Sequence, residues 1–341
     1  MTVLFPMGYK IGDGVEGWLE NVQKLIEPGG ELQISSIQLR GNLHFPPSLN
    51  VFFSKIIHIQ TGPAILNYPR LFAFDLDGTL LDSKKRISPA NAEALEQIMN
   101  NGAVVVFASG RLGSSMKQFF PQLGRDLAML TLNGADVFMD SRNGCRRVYK
   151  APLSPLHADY LIGYAQDKPF ALNYYYEDRL YSIKNENSRP WIDLYFQQTS
   201  TRYNFLNSFE PFRGKAPSKV IFVGHPSEID VQEKCFRRTW EKNPVYICRT
   251  WSHYLEFLDV KANKGIGLEA LASAYGIDME DVVAFGDAEN DMPMLSRAGW
   301  GVAMKNSGRN VKECAARVTD FTNDQDGVAR EWQKIRSEVG W

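Results

Sequence analysis

Cysteine and histidine are scarce in this chain of 341 residues, and their scarcity excludes several kinds of site. The four cysteines, Cys145, Cys235, Cys248 and Cys314, form no C-x-x-C pair, and the five histidines form no H-E-x-x-H pattern. Neither a zinc site nor a disulfide framework has such spacing, so the thiols are expected to be buried or incidental. Net charge is nearly absent too: 38 Lys and Arg against 39 Asp and Glu leave −1. That balance gives no broad electrostatic surface for nucleic acid or an anionic membrane, although a local basic pocket stays open. No run of about 18 apolar residues occurs, so no membrane span is expected. The first ten residues carry one lysine and lack the basic start and apolar core of a signal peptide, which makes a reducing cytoplasm the expected compartment.

What is present is an ordinary core-forming composition, 44% hydrophobic, in a chain long enough for two or three domains. Residues 1–69 read apart from the rest. Val15, Trp18, Leu19, Val22, Leu25 and Ile26 give one apolar helical face, Pro28-Gly29-Gly30 stops it, and β-like stretches follow near 32–39 and 51–59. No chemical motif occurs there. The segment reads as a small accessory or packing unit, or as the product of a gene start set too far upstream.

From residue 70 strand and helix alternate. The apolar strand at 71–74 is followed by a helix begun by Ser88-Pro89 and ended by Gly102, then by a buried strand at 103–108: a βαβ unit. Alternation resumes with a helix at 264–275, strands at 282–285 and 300–304, and helices at 291–297, 311–316 and 327–336. Between these halves the texture changes to hairpins, one around Arg142-Asn143-Gly144 and one around Glu177-Asp178, with further strands at 218–223 and 245–249. This is an α+β unit inserted into an α/β domain. Tyr174-Tyr175-Tyr176 reads as packed rings on a strand of that unit or as a substrate clamp.

Four short pieces carry chemistry. Phe74-Asp75-Leu76-Asp77-Gly78-Thr79-Leu80 puts two carboxylates at i and i+2 just after a buried strand, with a turn at Gly78. One carboxylate can face a ligand while the next main-chain carbonyl binds a metal. Ligands in open α/β sheets gather at the carboxyl ends of strands. Ser109-Gly110-Arg111 ends the next strand with a hydroxyl and main-chain N–H groups suited to phosphate oxygens. Lys264 opens a helix, an end where the dipole disfavours a cation, so its ammonium suggests another purpose. Gly286-Asp287-Ala288-Glu289-Asn290-Asp291 ends another strand with carboxylates at i and i+4, and magnesium favours one or two carboxylates plus phosphate.

In order and position these pieces resemble the four motifs of the haloacid dehalogenase (HAD) superfamily, over about residues 70–335. Thr131-Leu132-Asn133-Gly134-Ala135 leads into the insert, whose position and hairpin–helix texture resemble the C2B cap of the Cof-like (YidA-like) sugar phosphatases. The resemblance implies a Rossmann-like α/β core with a parallel sheet at 70–134 and 259–341, and a cap at 135–258. Residues 1–69 depart from it, since such proteins usually start near the first motif. It also implies a Mg²⁺-dependent phosphatase for small phosphorylated metabolites, sugar phosphates foremost, with flavin nucleotide or pyridoxal phosphate open. Asp75 would attack phosphorus and form an aspartyl-phosphate. Asp77 would protonate the leaving oxygen and then deprotonate water. Asp75, the Asp77 carbonyl and Asp287 would hold Mg²⁺, with Asn290 and Asp291 supporting it from behind. Gly78, Thr79, Ser109, Gly110 and Lys264 would bind the phosphoryl group, and Asn133 and Arg111 could touch substrate. A halide leaves without a proton, so Asp77 favours phosphoester chemistry over dehalogenation. A sugar phosphomutase or a non-catalytic binding protein could use the same scaffold. The oligomeric state is not encoded legibly.

Overall fold

The computed structural model describes residues 68–140, 145–242 and 245–341. The helix and strands expected before residue 68, and the turn at Arg142-Asn143-Gly144, lie outside these residues.

The strands in chain order are β1 (Leu71–Phe74), β2 (Val104–Ala108), β3 (Ala128–Thr131), β4 (Asp136–Met139), β5 (Arg146–Lys150), β6 (Phe170–Tyr176), β7 (Arg179–Ser182), β8 (Tyr203–Phe205), β9 (Lys219–Gly224), β10 (Val245–Cys248), β11 (Tyr254–Asp259), β12 (Val282–Gly286), β13 (Trp300–Ala303) and β14 (Arg317–Val318). The longer helices are α1 (Pro89–Asn100), α2 (Pro155–Tyr164), α3 (Arg189–Thr199), α4 (Pro226–Thr239), α5 (Lys264–Tyr275) and α6 (Gly327–Val339).

The first sheet runs β14-β13-β12-β1-β2-β3-β4-β5, and its members from β14 to β3 are parallel. β1 is buried on both faces, which is why its sequence is continuously apolar. Phe72 and Phe74 point into one core with Leu95 and Ile98 of α1 and Trp332 of α6. Leu71 and Ala73 point into another with Leu268 and Leu271 of α5. Alternation along a single strand thus feeds two layers of helix. α1 starts as its sequence promises: the Ser88 hydroxyl accepts the Asn91 N–H and Pro89 occupies the first turn.

The second sheet runs β10-β11-β9-β6-β7-β8 and is antiparallel except for β7 beside β8. Val220 and Phe222 pack with Leu161 of α2 and Phe236 of α4. Ile221 and Val223 face the other way, in a cluster with Ile192 of α3 and with Leu112, Leu132 and Ala135 from the first sheet's connections. This cluster seats the inserted unit on the core.

One boundary differs from the sequence reading, which grouped residues 135–258. β4 and β5 extend the first sheet, β4 pairing antiparallel with β3 and β5 with β4. A hairpin sequence specifies the pairing of its two strands but not the free edge they join. Here the turn at Leu132–Gly134 returns the chain directly to the edge of β3. β8 and β11 were not foreseen as strands; β11 carries Glu256 and Asp259 among its apolar residues.

Candidate active site

The parallel strands deliver their carboxyl ends to one rim, and the motif residues meet there. Asp75 follows β1 directly, and its N–H donates to Phe285 O at 3.0 Å, so pairing with β12 continues to the first carboxylate. The chain then turns, with Leu80 N–H donating to Asp75 O at 3.2 Å. Gly78 has φ +89°, and a Cβ there would press into the Asp287 carboxylate, so both backbone and space require glycine. Thr79 is fully buried and its hydroxyl donates to Asp287 Oδ1 at 3.0 Å, tying the first motif to the fourth. Asn263 caps α5 by accepting the Ile266 N–H, and Lys264 follows inside the first turn.

Lys264 and Asp291 are both fully buried. The Lys264 ammonium donates to Asp75 Oδ1 at 2.6 Å and to Asp291 Oδ1 at 2.5 Å. Asp291 Oδ2 accepts the N–H groups of Asp287 and Ala288, each at 3.0 Å. Asp291 therefore anchors the lysine on one side and shapes the Asp287 loop on the other. Burial and then the charge of Asp291 push the Asp75 carboxyl well above its ordinary range, against the pull of Lys264. Burial and Asp291 likewise push Asp287 up to about 6. Burial opposes the Lys264 charge, but Asp291 and Asp75 overcome it and hold the ammonium above its usual range.

Asp77 stands differently. Arg111 grips it with a fork, Nε to Oδ2 and NH2 to Oδ1, both at 2.7 Å, and Lys85 Nζ donates to Oδ1 at 2.7 Å. Burial works to raise this carboxyl, yet the bonds and charges of Arg111 and then Lys85 outweigh it and hold it at about 2. Ser109 is buried at the end of β2, and its hydroxyl accepts the Arg111 N–H at 3.3 Å. Asn133, 1% exposed, accepts from Asn290 Nδ2 at 3.0 Å and has no partner for its own Nδ2 among the described residues.

The rim thus brings the residues of the four motifs together, whereas Tyr174 and Tyr175 are buried in the clusters of the second sheet, as packed rings. Two residues of the rim stand otherwise than expected. The Thr79 hydroxyl is committed to Asp287 rather than open to a phosphate, and Asn290 bonds Asn133 rather than the acidic cluster. Three further residues join the site. Lys85 pairs with Asp77, Asn306 donates to Gly78 O at 2.8 Å, and Lys219 of β9 donates to Gly110 O at 3.1 Å. Asn306 lies just past β13, at the same rim as the motifs, and could have been sought there. Lys219 was signalled by being the one charge in the otherwise apolar strand KVIFVG.

One oxygen from each of Asp75, Asp287 and Asp291 lies within 4.8 Å of the others. Asp291 has both oxygens occupied, whereas Asp75 Oδ2 and Asp287 Oδ2 have no hydrogen-bond partner among the described residues. Three carboxyl groups face one ammonium, so their full ionisation would leave uncompensated negative charge in a buried place. An all-oxygen donor set with that imbalance fits a hard divalent cation, and it fits magnesium better than zinc.

Sheet order, inserted unit and acidic rim together define a haloacid dehalogenase-like hydrolase. The sequence profile of that family matches residues 72–331, and the chain belongs to it. Phosphatase YwpJ of Bacillus subtilis (strain 168) is 30% identical over 285 residues, covering 76% of this chain and 97% of that protein. From the same organism, 5-amino-6-(5-phospho-D-ribitylamino)uracil phosphatase YitU is 30% identical over 266 residues, covering 77% and 96%. The crystal structure of TM0651 from Thermotoga maritima superimposes with a TM-score of 0.70 at 29% identity, over 78% of this chain and 97% of that one. Among the described residues no helix is long and apolar enough to cross a membrane.

Proposed function

We propose that this phosphatase hydrolyses small phosphorylated metabolites, sugar phosphates foremost, through an aspartyl-phosphate on Asp75, with Mg²⁺ held at the acidic rim. The observation that carries the reading is the state of Asp75: one oxygen bound to the Lys264 ammonium at 2.6 Å, the other without a partner among the described residues, and Asp287 beside it. A carboxylate so oriented has a free lone pair for an in-line attack on phosphorus. Bound by Asp75, the Asp77 carbonyl and Asp287, Mg²⁺ would supply the positive charge that lets an anionic nucleophile meet an anionic ester.

The chain's own groups perform the rest. The Ser109 hydroxyl, the N–H groups of its turn and Lys264 bind the oxygens of the transferring phosphoryl group. Thr79 and Asp291 hold Asp287 in place. Asp77 gives a proton to the leaving ester oxygen and later takes one from the water that cleaves the aspartyl-phosphate. Acid catalysis requires Asp77 to leave the ionised pair with Arg111. The incoming phosphate competes for that guanidinium fork, and as Arg111 turns toward it the Asp77 carboxyl regains its ordinary affinity for a proton. The inserted unit covers the site and excludes water.

The test is phosphate release from p-nitrophenyl phosphate and a panel of sugar phosphates, with Mg²⁺ and with EDTA. Metal-dependent release by the wild type and none by Asp75→Asn is the expected result. Full turnover without any divalent ion, or retained turnover by Asp75→Asn, would overturn the reading.

A further inference from the structure

The turn from Ser109 to Arg111 brings three main-chain carbonyls to the site. Ser109 O accepts the Asn133 N–H and Arg111 O accepts the Leu132 N–H, each at 3.0 Å, both from the first sheet's own connections. The middle carbonyl, Gly110 O, is held from the other half of the fold by Lys219 Nζ at 3.1 Å. Lys219 is 2% exposed. Its ammonium also donates to Glu256 Oε2 of β11 at 3.0 Å and lies 5.0 Å from the centre of the Tyr175 ring. The other Glu256 oxygen accepts the Thr250 hydroxyl at 2.6 Å. A chain of bonds therefore runs from Thr250 through Glu256 and Lys219 to the turn that ends β2.

Burying an ion pair in place of two apolar side chains gains little stability. The pair on the core-facing side of the second sheet therefore calls for a reason beyond folding, and its contact with Gly110 supplies one. A trans peptide is planar, so the Gly110 C=O and the Arg111 N–H point in opposite directions. Fixing the carbonyl fixes the N–H, which is directed at the Ser109 hydroxyl. Glycine at 110 would otherwise leave this plane free to rotate. A cation on the carbonyl also polarises the amide and makes its N–H a better donor.

We infer that Lys219, oriented by Glu256, is a positioning residue that completes the phosphate-binding turn from the inserted unit. The inference rests on the phosphatase reading of that turn. Phosphate-binding geometry is then whole only while the second sheet is seated on the first, which couples seating to catalysis without any contact between Lys219 and substrate.

The test compares wild type with K219M/E256M, which leaves no lone buried charge, on p-nitrophenyl phosphate and on a sugar phosphate. The expected result is a kcat/KM lower by about 10- to 100-fold, by the same factor on both esters, with inhibition by inorganic phosphate weakened in parallel. Lys219→Arg, which keeps charge and donor, should recover part of the loss. The pair K219Q/E256Q, uncharged but still hydrogen-bonded, serves where the double methionine variant does not fold. Activity within twofold of wild type on both esters overturns the inference, as does a loss confined to the sugar phosphate, which would make Lys219 a leaving-group contact. A wild type that releases no phosphate defeats the functional reading instead. Calorimetric titration with inorganic phosphate then decides the positioning role, since equal affinity in wild type and variant would refute it.

Discussion

Replacing Asp291 by asparagine preserves its shape and removes its charge, and the surrounding geometry sets the cost. Every partner of the Asp291 carboxylate among the described residues is a donor: Lys264 on Oδ1, the Asp287 and Ala288 N–H groups on Oδ2. An amide has one acceptor oxygen. Turned toward the lysine, it leaves two buried N–H groups facing an NH₂, at roughly 1–3 kcal/mol each. Turned toward the main chain, it loses the charge-assisted bond to Lys264, worth roughly 1.5–3 kcal/mol, while Lys264 keeps Asp75. The second orientation is the cheaper one. Against it stands relief of repulsion. After burial, Asp291 is the next cause of the raised carboxyls of both Asp287 and Asp75, and losing its charge relieves both. The bond to Lys264 is a direct buried contact and outweighs the repulsions, so Asp291→Asn should be about 1–2 kcal/mol less stable than wild type near neutral pH without metal. Urea unfolding in EDTA measures this directly, and turnover should fall at least about tenfold as Lys264 loses an anchor. A metal-free variant as stable as wild type, or more so, would mean that Asp291 acts mainly as a repelling charge, and the anchoring role would fall.

Asp77→Asn keeps the carboxylate's place without its proton chemistry; a rapid quench with ³²P-labelled substrate should show phosphoenzyme accumulating, and the absence of any labelled protein would remove Asp77 from the second half of the reaction. Gly78→Ala puts a side chain at φ +89° and against the Asp287 carboxylate, so it should cost about 1–3 kcal/mol and weaken Mg²⁺ binding, checked by unfolding and metal titration. Asp287 binds a proton up to about pH 6 in the folded metal-free chain against 3.8 ordinarily, so between those values the folded state holds more protons and stability falls as pH rises. Relative to Asp287→Asn, metal-free wild type should lose unfolding midpoint from about pH 4 to about pH 6, and Mg²⁺ should restore more at about pH 7 than at about pH 5; an equal Mg²⁺ effect at both would contradict it.

The rim was legible because its signals are local. A continuous apolar strand followed by Asp-x-Asp-Gly, or by Ser-Gly, places polar groups at a strand end by chain geometry alone, and β1 and β2 obey. The interchange of partners was not legible. Nothing adjacent to Thr79 announces that its hydroxyl serves Asp287, 208 residues away, and nothing near Asp77 announces the Arg111 fork, which lies 34 residues on. Those are tertiary facts. The hairpin β4–β5 shows the same limit for the fold, since its residues dictate a pairing and the edge of β3 dictates where the pair goes. Lys219 lay between the two cases: its oddity in an apolar strand was visible, its partner Gly110 was not.

The position of β1 between β2 and β12 bears on how the chain comes to life on a ribosome. The strand β12 that covers one edge of β1 is encoded some 211 residues downstream, Val282 pairing with Leu71. At about 5–20 residues per second that stretch takes roughly 10–40 s to emerge. Through that interval the nascent sheet carries a raw hydrogen-bonding edge at its centre, the kind of surface that pairs with another chain. A message cut short between codons 77 and 287 therefore yields a chain bearing Asp75 and Asp77 but neither Asp287 nor Asp291 to complete the cluster.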